Sequence, residues 1–181
     1  MEELSLHLLD LIQNSVKAGA SLISIIISEK ANWLTIILED DGCGMSEEFL
    51  QKVDSPFTTT RTTRKVGLGI PLFKQAALMA GGDFSITSKP GVGTRLKATF
   101  ELDNIDREPM GDLAGTMLQQ VLSTPVTPDY RLEYTVEDRY FDFDTRELKQ
   151  QLGDVPLDSP DVIMWMSDYL YEGLKELNGG A

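Results

Sequence analysis

Apolar residues at Leu4, Leu8, Leu11 and Ile12, continued by Ser15 and Val16, recur at helical spacing and stop at Gly19. The spacing predicts an amphipathic helix over residues 2–18 with one face turned to a core. The period then changes. Residues 22–28 and 33–39 are short runs rich in Ile and Leu on either side of Ala31-Asn32, which predicts two strands of an antiparallel hairpin. Residues 40–44 form a polar, glycine-bearing turn, and Ser46 followed by Glu47 and Glu48 supplies a cap and an acidic first turn for a short helix ending near Lys52. After a stretch rich in Thr and Arg, residues 70–80 have helix-forming composition, with Pro71 in the first turn and Gly81-Gly82 as the stop. Residues 84–88 and 94–102 alternate apolar with polar side chains around the turn Pro90-Gly91-Val92-Gly93.

The first 102 residues therefore read as αββ, loop, αββ. A sheet with one apolar face needs a cover, so the expected fold is α+β, a two-layer α/β sandwich. Beyond Leu102 the composition changes. Residues 103–112 are polar and carry Pro109 and Gly111, as a linker would. Residues 113–122 read as a helix, 130–134 and 139–143 as an aromatic hairpin, and Ser159-Pro160-Asp161 opens a helix running toward Leu177. The expected organisation is an α+β domain over 1–102 with a small α+β extension over 103–181.

Charge sharpens that division. The net charge of −13 is shared as −2 over residues 1–102 and −11 over 103–181. A segment this acidic repels phosphate backbones and anionic lipid, so nucleic acid and membrane are not expected partners, whereas a basic protein surface is compatible. No run approaches the about 20 apolar residues that span a bilayer, and Met1-Glu2-Glu3 lacks the basic start of a signal peptide, so the expected location is cytoplasmic. One cysteine, Cys43, and one histidine, His7, make neither an intrachain disulfide nor a zinc site. Both are expected to be packing residues.

Three glycine turns carry the candidate chemistry: residues 41–44, 67–69 and 91–94. Such turns let backbone N–H groups approach phosphates closely. None has the P-loop spacing, and none is a dinucleotide fingerprint between strand and helix. Their order is more informative than any one of them. An Asn on an apolar helix is followed by DxGxG after a strand, a Thr/Arg-rich loop into GxG before a helix, and GxGT before a strand. Segments 10–20 (DLIQNSVKAGA), 40–45 (DDGCGM), 55–60 (SPFTTT), 67–70 (GLGI) and 91–94 (GVGT) together resemble the GHKL superfamily of histidine-kinase-like ATPases. Histidine kinases, type II topoisomerases, mismatch-repair ATPases, heat-shock chaperone ATPases and anti-sigma-factor kinases belong to it. The resemblance covers nearly all of residues 1–102 and leaves 103–181 unaccounted for.

The resemblance implies a Bergerat-type ATP-binding fold with ATP and Mg2+ as cofactors. It places Asn14 as the magnesium ligand, a neutral hard oxygen suited to an ion that also uses the substrate's phosphates. It places Asp41 as the carboxylate accepting a hydrogen bond from the adenine amino group, with Gly42 and Gly44 keeping that turn close to the base and Thr94 beside it. Residues 46–66 correspond to the family's ATP lid, in which Arg61, Arg64 and Lys65 meet phosphate oxygens, and Gly67 and Gly69 open a helix whose N-terminus adds its dipole. Asp10, one turn before Asn14, stands where many members carry a catalytic glutamate, and is one methylene shorter. The implied activity is that of a stand-alone ATPase or protein kinase regulating a partner protein, with a homo-oligomer compatible; the alternative is a non-catalytic ATP sensor.

Overall fold

In the computed structural model, which describes residues 2–53 and 68–179, helix α1 spans Leu4–Lys17 and its stripe of Leu4, Leu8, Leu11 and Ile12 is fully buried. No side chain caps its start. The free N–H groups of Leu4 and Ser5 instead donate to the carbonyls of Pro109 and Met110, each at 2.8 Å, which satisfies donors every helix N-terminus leaves open. The polar stretch 103–112, expected to behave as a linker, is thereby tied to the first turn of α1.

Strands β1 (Leu22–Lys30) and β2 (Trp33–Asp40) form the expected hairpin. Its two linking residues, Ala31 and Asn32, have φ of 51° and 70°, the paired positive values of a turn whose twist matches its strands. Helices α2 (Glu47–Val53) and α3 (Gly69–Met79) and strands β3 (Phe84–Lys89) and β4 (Gly93–Glu101) follow. The acidic segment supplies α4 (Leu113–Ser123), β5 (Asp129–Val136), β6 (Arg139–Asp144), α5 (Thr145–Leu152) and α6 (Pro160–Leu177).

The described strands make one six-stranded sheet, ordered β3-β4-β2-β1-β5-β6. All neighbours are antiparallel except β1 and β5, which run parallel from Leu22↔Asp129 to Glu29↔Val136. Successive side chains alternate across the pleat, so Ile23, Ile25 and Ile27 share a buried face with Leu34, Ile36 and Leu38, with Leu96, Ala98 and Phe100, and with Tyr130 and Leu132. Helices α1, α3, α4 and α6 bury Phe73, Met117, Met166 and Leu170 in the same core. This is the two-layer α/β sandwich the pattern calls for, and the aromatic hairpin widens its sheet. Tyr130, Tyr134, Phe141 and Phe143 are buried there, whereas Tyr140 stays exposed.

Helix α5 has no counterpart in the sequence reading. Its segment TRELKQQL is polar, and only Leu148 and Leu152 reach the core. Asp144 caps it, accepting from the Arg146 N–H at 2.9 Å, and two tertiary bonds hold it: Thr145 Oγ1 accepts from the Tyr130 N–H at 2.9 Å, and Lys149 Nζ donates to Asp129 at 2.8 Å.

Candidate nucleotide site

The site begins at the end of β2. Because alternation continues to the last residue, Asp40 falls on the helix-covered face with Leu34, Ile36 and Leu38, and Asp41 falls on the other. Ser15 Oγ donates to Asp40 Oδ2 at 2.6 Å and the Gly42 N–H donates to Oδ1 at 2.9 Å. Asp41 accepts from the Ser21 N–H (2.7 Å), the Leu22 N–H (3.0 Å) and the Ser21 hydroxyl. The Ser21 hydroxyl bond is the main reason its carboxyl is held below the ordinary aspartate range. Asp41 thus ties the turn to the start of β1 and takes no part in the cavity. The assignment of the base-reading carboxylate to Asp41 is corrected on this geometry: the carboxylate that faces the cavity belongs to Asp40. The pleat was the available signal, since the residue in phase with the apolar positions of β2 is 40, which is also the first residue of DxGxG.

The glycines bring three chain segments together. A Cβ at Gly42 would stand 2.8 Å from Ala18 Cβ and one at Gly44, whose φ is +71°, 2.1 Å from the Lys89 carbonyl oxygen. The Cys43 N–H donates to Ala18 O at 2.9 Å and the Gly91 N–H to Cys43 O at 2.8 Å, so the end of α1, the 40–44 turn and the 90–93 turn are laced through their backbones. Thr94 lies directly across the ladder from Asp40. Ser88 Oγ donates to Gly93 O at 3.0 Å, accepts from the Met45 N–H at 2.7 Å and lies 2.8 Å from Thr94 Oγ1. With its one proton on Gly93, Ser88 takes the Thr94 proton and leaves that hydroxyl's lone pairs for the cavity.

Between these segments lies a cavity of about 710 Å³ lined by Leu11, Asn14, Ser15, Lys17, Ala18, Asp40, Cys43, Gly44, Met45, Ser46, Phe49, Ile70, Thr94 and Leu96. Its size and its make-up, apolar walls with a few convergent polar groups, suit a nucleotide-sized ligand. The structure therefore brings Asn14, Asp40, Gly44 and Thr94 to one space. Gly69 starts α3 beside α1: a Cβ there would lie 3.4 Å from Asp10 Cβ and 3.8 Å from Asn14 Nδ2, ordinary van der Waals distances, and Gly69 is not among the residues that line the cavity. Asp10 is exposed, one turn from Asn14, and does not line the cavity. Arg61, Arg64, Lys65 and Gly67 lie outside the described residues.

The side-chain amide nitrogen of Asn14 is buried without a hydrogen-bond partner. A buried polar atom left unpaired costs stability, and its place beside the cavity fits a site for a ligand or ion. Lys17, Ser15 and Ser88 were not singled out from the sequence; Lys17 is three residues after Asn14 on the same helix, which was its signal. Cys43, expected to pack, is exposed on the cavity lining. His7 packs as expected, 6% exposed, with Nε2 2.8 Å from Glu108 Oε1 and its ring 5.9 Å from Phe73.

Sandwich, glycine turns and cavity together define a nucleotide-binding protein. The chain belongs to the histidine kinase-, DNA gyrase B- and HSP90-like ATPase family, whose sequence profile matches residues 2–104. ATP binding is the property that membership carries. Relatives include a sensor-like histidine kinase of Rhizobium meliloti, 30% identical over 68% of this chain and 23% of that protein. Another is the tetrathionate sensor histidine kinase TtrS of Salmonella typhimurium, 32% identical over 60% of this chain and 19% of that one. The chain thus spans about a fifth of these kinases' length. In fold, the crystal structure of the N-terminal domain of a DNA repair protein is similar, with a TM-score of 0.57 at 11% identity, covering 99% of this chain and 59% of that one. Among the described residues no helix is long and apolar enough to cross a membrane.

Proposed function

We propose that the cavity takes ATP with magnesium and that the chain serves as a histidine-kinase-like ATPase or protein kinase acting in the regulation of a partner protein. The observation that carries this reading is Asp40: a carboxylate clamped by Ser15 and Gly42 at the end of an apolar cavity, opposite Thr94. An acceptor held there selects adenine, whose amino group donates, over guanine, which presents an acceptor at the same position. Leu11, Met45, Phe49, Ile70 and Leu96 offer the apolar walls for the base.

Asn14 would hold the magnesium, whose bound form neutralises phosphate charge. Lys17 adds a cation on the same wall, and Arg61, Arg64 and Lys65 remain the sequence candidates for the γ-phosphate. Asp10 would orient the nucleophile. His7 is buried against Glu108 and Phe73, so it is not placed to accept a phosphoryl group, and this reading puts the acceptor on a partner protein.

The exposure of Asp10 outside the cavity lining favours a second reading, an ATP sensor without turnover, in which bound nucleotide changes partner affinity by linkage. Titration calorimetry with ATP and GTP, with and without magnesium, on wild type, Asp40→Asn and Asp41→Asn tests the site. Magnesium-dependent ATP binding that Asp40→Asn abolishes and Asp41→Asn spares is the expected outcome; equal loss in both variants sinks the assignment. Phosphate release then separates the two readings, with Asp10→Asn silencing turnover and leaving binding if Asp10 acts as base.

A further inference from the structure

Helix α6 turns Val162, Met166, Leu170 and Leu174 into the core. By the 100° step of a helix, the opposite face carries Asp161, Asp168, Glu172 and Glu176 in one stripe, with Lys175 beside it. A solvated helix face needs nothing more than such charges. This one also presents Trp165, 49% exposed, and Tyr169.

The aromatic pair is built and held. Tyr169 donates its hydroxyl to the Asp142 carbonyl at 2.7 Å and its ring lies 5.2 Å from that of Phe141. Trp165 stacks on Tyr169 at 5.0 Å with 13° between planes. One face of the indole is thus occupied while half of the residue stays in solvent. Asp161, Asp168 and Glu172 stand four residues before, three after and seven after Trp165, on the same side of the helix. A rigid indole beside carboxylates recognises a cation twice, through its ring face and through charge-assisted hydrogen bonds, at little ordering cost.

We infer that this face of α6 docks a lysine- or arginine-bearing segment of a partner protein. Charge selects that occupant: residues 103–181 carry 17 acidic against 6 basic side chains, so phosphate backbones and anionic lipid are repelled, and a second copy would set acids against acids. None of the stripe's residues lines the nucleotide cavity, so docking proceeds with or without ATP and stands apart from the reading of that site.

The test is fluorescence anisotropy of the full chain with a dye-labelled helical peptide of about 16 residues, arginine on one face, in about 0.15 M salt. The same peptide with glutamate for arginine is the control. The arginine peptide is expected to bind and the glutamate peptide not. Trp165→Ala and, separately, Asp168→Asn/Glu172→Gln are each expected to weaken binding about tenfold. The second variant keeps shape and packing, so its effect does not depend on tolerance of the first. Glu47→Gln/Glu48→Gln, which removes as many charges from α2, is expected to leave affinity unchanged. Equal weakening by the α2 variant reduces the effect to net charge and overturns the proposal. Absence of arginine-peptide binding overturns it too, as does self-association in sedimentation equilibrium that Trp165→Ala abolishes and the peptide fails to compete.

Discussion

Ser15 donates its hydroxyl to Asp40 Oδ2 at 2.6 Å from a position only 3% exposed, while the Gly42 N–H holds the other carboxylate oxygen at 2.9 Å. With both oxygens bound, the Asp40 carboxylate cannot rotate, and its remaining lone pairs have fixed directions. Ser15→Ala removes one clamp without adding bulk. It is expected to lower stability by about 1 kcal/mol and to weaken ATP binding about tenfold by releasing the acceptor. Urea unfolding and calorimetric titration check the two effects. Lost stability with unchanged affinity would show that Asp40 needs no anchoring to meet its ligand.

Much of this was legible in the chain because local period and glycine placement are local facts. The stripe of α1, the hairpin turn at Ala31-Asn32 and the stop at Gly81 all appear where the pattern puts them. What was not legible depends on distant partners. The parallel ladder that sets Leu22 beside Asp129 joins residues over 100 positions apart, and no local pattern encodes it. Helix α5 is polar and exists through bonds to Asp129 and Tyr130. The choice between Asp40 and Asp41 was legible in principle, since a one-residue step in a strand reverses the face, but counting glycines alone does not reveal it.

Two glycines with nearly the same backbone conformation give opposite expectations. Gly44 has φ +71° and a Cβ there would lie 2.1 Å from the Lys89 carbonyl, whereas Gly91 has φ +79° and open space around it. Gly91→Ala costs only the left-handed conformation, about 1–2 kcal/mol, and is expected to keep ATP binding. Gly44→Ala must also push the 40–44 turn off the 90–93 turn and is expected to lose binding. Thermal unfolding with titration of both variants checks this; identical behaviour would mean the turns do not brace the site.

Asp41 contributes to acid stability. Its folded-state carboxyl titrates below the ordinary value of 3.8, chiefly through the Ser21 hydroxyl bond and against a smaller opposing effect of burial. A depressed carboxylate stabilises the fold above its unfolded value, and that contribution disappears as pH falls through the folded one. The stability gap between wild type and Asp41→Asn is therefore expected to hold constant above about pH 5 and to shrink below about pH 4. Urea midpoints measured at both ends of that range check the sign. A gap that widens on acidification would place the Asp41 bonds in the unfolded chain, where they do not belong.

Asn14 separates function from stability most cleanly. Its Nδ2 is buried and unpaired, and rotating the amide by half a turn puts an oxygen in the same place, the atom a magnesium ion would use. For a residue kept for the fold, Asn14→Leu should destabilise. For one kept for a ligand, removing an unsatisfied buried amide should leave the nucleotide-free protein as stable or up to about 1 kcal/mol more stable, while the magnesium dependence of ATP binding disappears. Urea unfolding in a chelator, set against calorimetry with and without magnesium, reads both quantities on one variant. The expected pair is stability held or raised with magnesium dependence gone. A loss of stability with magnesium-dependent binding intact would make Asn14 a packing residue and move the metal ligand elsewhere.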